Sequence, residues 1–270
     1  MKTIGIIDYY VSEWHAYKYA SILDDACKAV GEEFKIAYAY GELDVSPYDG
    51  LTTAQWCEKH GAEPCGSIEE VCEKADYIMI LAPSNPETHL KYASIALKYG
   101  KNTFIDKTFA PDYKTAQEIY AIADSYGTRI FSSSALRYAT ELEGLRGAKN
   151  IAVTGGGGNL PEYIIHQAEM LIKLAGCAPS AVSAEKNGET YVISVDFPSS
   201  VTATMSYEKF FSYSVAVDGG EVVEMRSPFF NALIADALRF FLTGEPSFPR
   251  EETLAVAYLR EEAIKCAEAL

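Results

Sequence analysis

The residues best suited to chemistry stand just after short apolar runs. They are Asp8-Tyr9-Tyr10, Ala82-Pro83-Ser84-Asn85, Asp106-Lys107-Thr108 and Ser133-Ser134. If those runs are strands of an open parallel sheet, each group lies at a strand's carboxyl end, where such sheets bind ligands. Asp8, Tyr9, Tyr10, Glu13, Trp14 and His15 combine carboxylates with aromatic rings. Carboxylates accept hydrogen bonds from hydroxyls and ring faces cover C–H surfaces, so this set suits a polyhydroxylated substrate. Read as packing, the same residues seat a helix on the sheet through Trp14 and Tyr10, with Asp8 as its cap. Arg137, followed by Tyr138, either grips an anionic substrate group or pairs with one of the many carboxylates. Cys57, His60, Cys65 and Cys72 match no common zinc spacing, and Trp56 with Cys57 reads as the core side of a helix. No metal site is expected.

The elements that position these residues follow from hydrophobic periodicity. Apolar runs at Thr3–Ile7, Phe34–Tyr38, Tyr77–Leu81, Asn102–Ile105 and Arg129–Ser132 alternate with helical patterns. The helical stretches are Trp14–Val30, Leu51–His60, Ser67–Lys74, Glu87–Tyr99 and Asp112–Tyr126. Ser67 with Glu70 three residues on forms a capping box, and Gly100 and Gly127 end helices. Strand–helix alternation implies a doubly wound parallel sheet with right-handed crossovers. The second half changes rhythm. A short strand, Ile151–Thr154, leads through Gly155–Gly158 into a helix from about Leu160 to Leu174. Long β segments follow at Ala181–Glu185, Tyr191–Tyr207 (broken near Pro198) and Phe211–Met225. Helices at Phe229–Thr243 and Glu251–Leu270 close the chain. The expected fold class is α/β, with a doubly wound parallel sheet over residues 1–134. An α+β domain on a mainly antiparallel open sheet is expected over residues 135–270.

The 270 residues carry 23 Lys plus Arg against 38 Asp plus Glu, a net charge of −15. Such a surplus of acid argues against general nucleic-acid binding and against docking on anionic lipid. The longest clearly apolar runs fall far short of the roughly 20 residues that span a bilayer. No signal peptide is read at the start, and the six cysteines form no C-x-x-C, so a cytoplasmic protein with reduced thiols is expected.

The stretch Ala75-Asp76-Tyr77-Ile78-Met79-Ile80-Leu81-Ala82-Pro83, then His89, Ala96-Leu97, Gly100-Lys101 and Phe104-Ile105-Asp106-Lys107-Thr108, resembles the Gfo/Idh/MocA oxidoreductase family. That family shows an apolar strand ending in Pro, a His soon after, and a pattern of the type AL..GK..F.EKP. The resemblance implies a Rossmann-like first domain holding NAD or NADP, and oxidation or reduction of sugars, inositols and related alcohols. It places the catalytic Lys on Lys107, the second domain's catalytic His on His166, and an acidic companion on Glu162, one turn earlier. It puts Asp8, Tyr9, Tyr10, Pro83, Ser84 and Asp106 beside the cofactor, and Trp14, His15, Arg137 and Tyr138 beside the substrate. His166 would move a proton at the substrate hydroxyl while Lys107 stabilises charge on its oxygen. A homodimer or homotetramer through the C-terminal sheet is also implied.

Each assignment has a structural alternative. Lys107 also reads as a surface or ion-paired lysine, His166 as a core histidine, and Glu162 as the third helical residue after an Asn159 cap. His89 reads as a packing residue. Gly155–Gly158 is followed by no Gly-Lys-Ser/Thr, so it reads as a mobile loop rather than a phosphate loop.

The family pattern fails at the first turn. The positions of G-x-G-x-x-G hold Asp8, Tyr10 and Glu13. The tyrosine obstructs the close approach of pyrophosphate that the second glycine exists to permit. Two carboxylates stand where a dianion should rest, and Glu13 is placed to occupy the helix N-terminus itself. No clear ribose-binding acid follows the second strand, where Tyr38-Ala39-Tyr40-Gly41 precedes Glu42 and Asp44. Thr108 replaces the family's proline, so a trans Lys107–Thr108 bond is expected. Two functions therefore stay open: an NAD(P)-dependent oxidoreductase acting on a sugar-like polyol or ketone, and a non-redox carbohydrate-binding protein on the same scaffold.

Overall fold

The computed structural model describes every residue except Ser199. The chain forms two compact units. The first comprises Met1–Ala110, Lys114–Ser132 and Asn231–Ser247, and the second Pro111–Tyr113, Ser133–Phe230 and Phe248–Leu270. The expected boundary at 134 lies beside the crossing at Ser132–Ser133, but residues 231–247 return to the first unit. Their packing explains the return. Phe241 stacks on Tyr77 with ring centroids 5.0 Å apart, Phe240 meets Phe131, and Asn102 Nδ2 donates to the Phe241 carbonyl.

The first unit is built on strands β1 (Lys2–Asp8), β2 (Phe34–Gly41), β3 (Glu63–Pro64), β4 (Tyr77–Ile80), β5 (Thr103–Ile105) and β6 (Ile130–Phe131). They pair in parallel in the order β3-β2-β1-β4-β5-β6, the doubly wound arrangement expected from the alternation. The two-residue β3 was not anticipated, being too short to leave a periodic signal. Ile4, Ile6, Ile7, Ile78, Ile80 and Phe104 are fully buried, as strands covered on both faces require. The intervening helices are α1 (Trp14–Val30), α2 (Thr53–His60), α3 (Ile68–Lys74), α4 (His89–Ala96) and α5 (Tyr113–Tyr126), whose residues from Lys114 on lie in this unit. α1 ends on Gly31 in the left-handed conformation, and α2 opens on a capping box between Thr52 and Gln55. The helix expected over Glu87–Tyr99 is α4 flanked by 3-10 turns at Pro86–Thr88 and Leu97–Tyr99.

The second unit contains β7 (Asn150–Gly155), β8 (Ala181–Asn187), β9 (Thr190–Asp196), β10 (Thr202–Tyr207), β11 (Ser214–Val217) and β12 (Val223–Glu224), with helices α6 (Leu160–Ala175) and α8 (Arg250–Glu268). Helix α7 (Phe229–Thr243) begins in this unit and crosses to the first. The sheet order is β12-β11-β7-β10-β9-β8, with β7 and β10 parallel and every other pair antiparallel. The long β segment expected over Phe211–Met225 divides into β11 and β12, because Asp218 and Gly219 turn the chain at positive φ. No helix among the described residues is long and apolar enough to cross a membrane.

Candidate functional site at the carboxyl edge of the parallel sheet

β1 ends on Asp8 and β4 runs into Leu81-Ala82-Pro83, so the ends of two adjacent strands meet. Asp8 is fully buried, and its Oδ1 accepts the backbone N–H of Tyr9 at 2.7 Å and of Ala82 at 3.0 Å. Ala82 holds a left-handed φ of 56°, a strained position for a residue with a Cβ, and this aims its N–H at the carboxyl. Burial first, and then the charges of Glu13 and Asp106, push the Asp8 carboxyl well above its usual range.

Glu13 closes the same turn as the N-cap of α1. Its carboxylate accepts from His15 N at 2.7 Å and from Ala16 N at 2.5 Å. These are the orphan amides of a helix start, which would otherwise face an anion. Glu13 is 6% exposed, and burial raises its carboxyl against the pull of His15 and the two amides.

The next strand end, that of β5, supplies Asp106 and Lys107. Asp106 is fully buried. Its Oδ2 pairs with His15 Nδ1, its Oδ1 accepts from Tyr19 Oη at 2.9 Å, and Oδ1 also accepts from Lys107 N at 2.8 Å. Desolvation opposes the ionised form, but His15, Lys107 and the Tyr19 hydrogen bond outweigh it and hold the Asp106 carboxyl below its usual range. Tyr19, one helical turn after His15, also lies 3.2 Å from His15 Nδ1.

Lys107 is 8% exposed and its Nζ lies 3.4 Å from the Pro83 carbonyl, so it is a buried lysine among three strand ends. Pro83 is buried and Ser84 is exposed. The Lys107–Thr108 peptide is cis, which corrects the trans bond expected from the absence of proline. His89 is fully buried. It bonds the carbonyls of Leu81 and Phe109, and so braces the ends of β4 and β5 from behind.

The arrangement brings Asp8, His15, Pro83, Asp106 and Lys107 to one edge. Tyr9 and Tyr10, half-exposed with rings 6.0 Å apart, and exposed Trp14 stand on the turn beside them. Trp14 is not a core residue, so its packing alternative is set aside.

A dinucleotide does not fit this edge in the manner of a glycine fingerprint. Four backbone N–H groups ring the turn, those of Tyr9, His15, Ala16 and Ala82, and each is taken by Asp8 or Glu13. A pyrophosphate would have to displace two carboxylates from those amides. Like charges at about 4 Å would add several kcal/mol at an effective dielectric near 20.

The second unit places Arg137, Tyr138, Glu162 and His166. The Arg137 guanidinium is buried between two carboxylates, Glu169 at 3.2 Å and Glu252, and its carbon lies 3.6 Å from the Phe248 ring centre. Of its two readings, the structure gives the carboxylate pair. Glu169 also accepts from Ser134 N, and neither glutamate carried a signal in the sequence. Tyr138 is half-buried at the end of a 3-10 turn. Glu162 accepts from Asn159 Nδ2 at 3.2 Å while Asn159 Oδ1 accepts from Glu162 N at 2.9 Å, the capping alternative. His166 is half-buried. Its Nδ1 lies 2.7 Å from Ser134 Oγ, and its ring stands edge-on to Tyr163 and Tyr213.

The glycine run 155–158 is packed against tyrosines. Tyr213 Oη donates to the Gly156 carbonyl at 2.7 Å and Tyr207 Oη to that of Gly157 at 3.0 Å. A Cβ on Gly157 would lie 2.1 Å from the Tyr163 ring, and one on Gly156 would lie 2.2 Å from the Glu208 carbonyl. These glycines exist for close packing.

Burial pushes the thiols of Cys57, Cys65 and Cys72 up to about 12, 11 and 12. Among the described residues no His, Cys, Asp or Glu cluster is arranged to hold a metal ion.

Comparison with known proteins agrees with the fold and with the motif-bearing segment. Residues 46–134 match the oxidoreductase family with an NAD-binding Rossmann fold, Gfo/Idh/MocA. The uncharacterised oxidoreductase YhhX of Escherichia coli (strain K12) is 32% identical over 63 residues, which are 23% of this chain and 18% of that protein. Among solved structures, UDP-N-acetylglucosamine 3-dehydrogenase GnnA from Acidithiobacillus ferrooxidans superposes with a TM-score of 0.74 at 15% identity, over 100% of this chain and 97% of that one. Biliverdin reductase from Synechocystis sp. PCC 6803, solved with biliverdin and NADP+, gives 0.68 at 15% identity, over 99% and 98%. GenD2 from gentamicin A biosynthesis, solved with NAD, gives 0.74 at 13% identity, over 99% and 95%. Nicotinamide dinucleotides are thus the cofactors bound on this fold among its neighbours. Residues 46–134 thus carry the signature of the Gfo/Idh/MocA oxidoreductase family, and the whole chain has the fold of these neighbours.

Proposed function

We propose that this chain is a non-redox member of its family that binds a small carbohydrate-like metabolite without a dinucleotide. One observation carries the reading. Four backbone amides at or beside the first turn, those of Tyr9, His15, Ala16 and Ala82, already donate to a carboxylate of Asp8 or Glu13. The chain has thereby exchanged an anion seat for an acidic edge beside Tyr9, Tyr10 and Trp14. Carboxylates and ring faces suit hydroxyls and C–H surfaces.

A second reading keeps the redox reaction on a sugar-like polyol or ketone, with NAD or NADP. It is favoured by Lys107, a buried cation at the end of β5, where the family resemblance puts the catalytic lysine. In that reading His166 would be the proton-transfer partner.

Thermal shift, with quenching of Trp14 or Trp56 fluorescence, separates the two. The expected result is no response to NAD+, NADH, NADP+ or NADPH at about millimolar concentration, and stabilisation by a sugar alone. Micromolar binding of any of the four nucleotides would establish the second reading instead. A Lys107→Ala variant that retains full activity on a substrate found in that way would then remove Lys107 from the mechanism.

A further inference from the structure

Three carboxyl groups meet at the sheet edge, and they offer six oxygens. Both oxygens of Glu13 hold helix amides. Asp106 Oδ1 holds Tyr19 and Lys107 N, and its Oδ2 holds His15. Asp8 Oδ1 holds the amides of Tyr9 and Ala82. The sixth, Asp8 Oδ2, is buried with no hydrogen-bond partner among the described residues. A buried carboxyl oxygen is ordinarily paired, and an orphan calls for a missing partner. The carboxyl is not loosely placed, because two amides fix its other oxygen. It sits at the carboxyl end of the first strand, where ligands of parallel sheets bind.

We propose, resting on the reading that the chain binds a metabolite without dinucleotide, that Asp8 Oδ2 receives an uncharged ligand hydroxyl, so that the site takes neutral polyhydroxy compounds and rejects phosphorylated ones. The ligand hydroxyl donates to Oδ2, which acts as acceptor. A phosphate meets Glu13 and Asp106 beside Asp8, and the amides of Tyr9, His15, Ala16 and Ala82 are taken. Tyr9, Tyr10 and Trp14 offer ring faces to the C–H side of such a ligand. Asp8 is covered, so occupation of Oδ2 displaces side chains of the turn that carries these rings.

Isothermal titration near pH 7 with D-glucose, myo-inositol and D-glucose 6-phosphate as probes tests this. A neutral probe is expected to bind, with the phosphorylated probe at least about tenfold weaker. Asp8→Asn keeps an oxygen for the two amides but presents an N–H where Oδ2 was. It is expected to weaken the neutral probe about tenfold or more while the circular dichroism spectrum is unchanged. Asp8→Ser, smaller and neutral, serves as the second variant and is expected to lose the same binding. Equal or tighter binding of the phosphorylated probe overturns the inference, as does unchanged neutral binding in a folded Asp8 variant. No binding of either neutral probe at about 10 mM overturns it too. The broader reading falls separately, on micromolar binding of NAD or NADP by the wild-type chain.

Discussion

The Glu13 carboxylate receives the N–H of Ala16 at 2.5 Å, and so fills the start of α1 with an anion that belongs to the chain. Its other oxygen takes the His15 N–H. Glu13→Ala should have two effects. The loss of an N-cap costs about 1 kcal/mol, seen as a lower urea midpoint at unchanged slope. The freed amides should also let inorganic pyrophosphate raise the variant's melting temperature while leaving that of the wild type unmoved. Equal response of both proteins to pyrophosphate would mean that Glu13 does not fill the seat.

Much of this edge was legible in the sequence because it depends on local spacing. Asp8 ends an apolar run, Glu13 precedes a helical pattern, and Asp106 and Lys107 follow another strand. The partners that give those residues their character are far away in sequence. Ala82 N–H reaches Asp8 across 74 positions and His15 meets Asp106 across 91. Tyr19 was one helical turn from His15, and that spacing alone could have marked it. In the second unit, Glu169 and Glu252 lie on helices whose patterns give no sign that they converge on Arg137. The Gly155–Gly158 run is a related case. Glycines permit motion, but here they permit tyrosines to approach.

The raised carboxyl of Asp8 makes stability depend on pH in a definite direction. The folded chain holds this proton more tightly than the unfolded chain, where the ordinary value is 3.8. Stability tied to that proton is complete below 3.8 and is lost as pH rises through the folded-state value. Asparagine carries no charge at any pH. Urea unfolding of Asp8→Asn against wild type should therefore shift in the variant's favour as pH rises above 3.8. A difference that stays constant as pH rises above 3.8 would show that Asp8 has an ordinary carboxyl.

Arg137 holds two buried carboxylates at once, Glu169 and Glu252, and its backbone carbonyl accepts from Lys173 Nζ at 2.7 Å. Removing the guanidinium leaves both acids buried with less compensation. Arg137→Ala is expected to cost about 3–5 kcal/mol in urea unfolding. The double variant Arg137→Met with Glu169→Gln should recover part of that loss, because it removes charge from both sides. A cost for Arg137→Ala below about 1 kcal/mol, the range of exposed pairs, would contradict the buried network.

Gly157 stands at φ 152° with the Tyr163 ring where its Cβ would be, 2.1 Å away. An alanine there must move the ring or the backbone, and the backbone is held by the Tyr207 hydroxyl on the Gly157 carbonyl. Gly157→Ala should cost about 1–3 kcal/mol. Tyr207→Phe, which removes one hydrogen bond and keeps the ring, should cost about 1 kcal/mol. His166 shares this packing, since Tyr163 and Tyr213 flank its ring. The chemical shifts of its imidazole should therefore move in Gly157→Ala, although residue 157 is nine positions earlier in the chain. A stable Gly157→Ala variant with an unmoved His166 signal would restore the mobile loop that the glycine run first suggested.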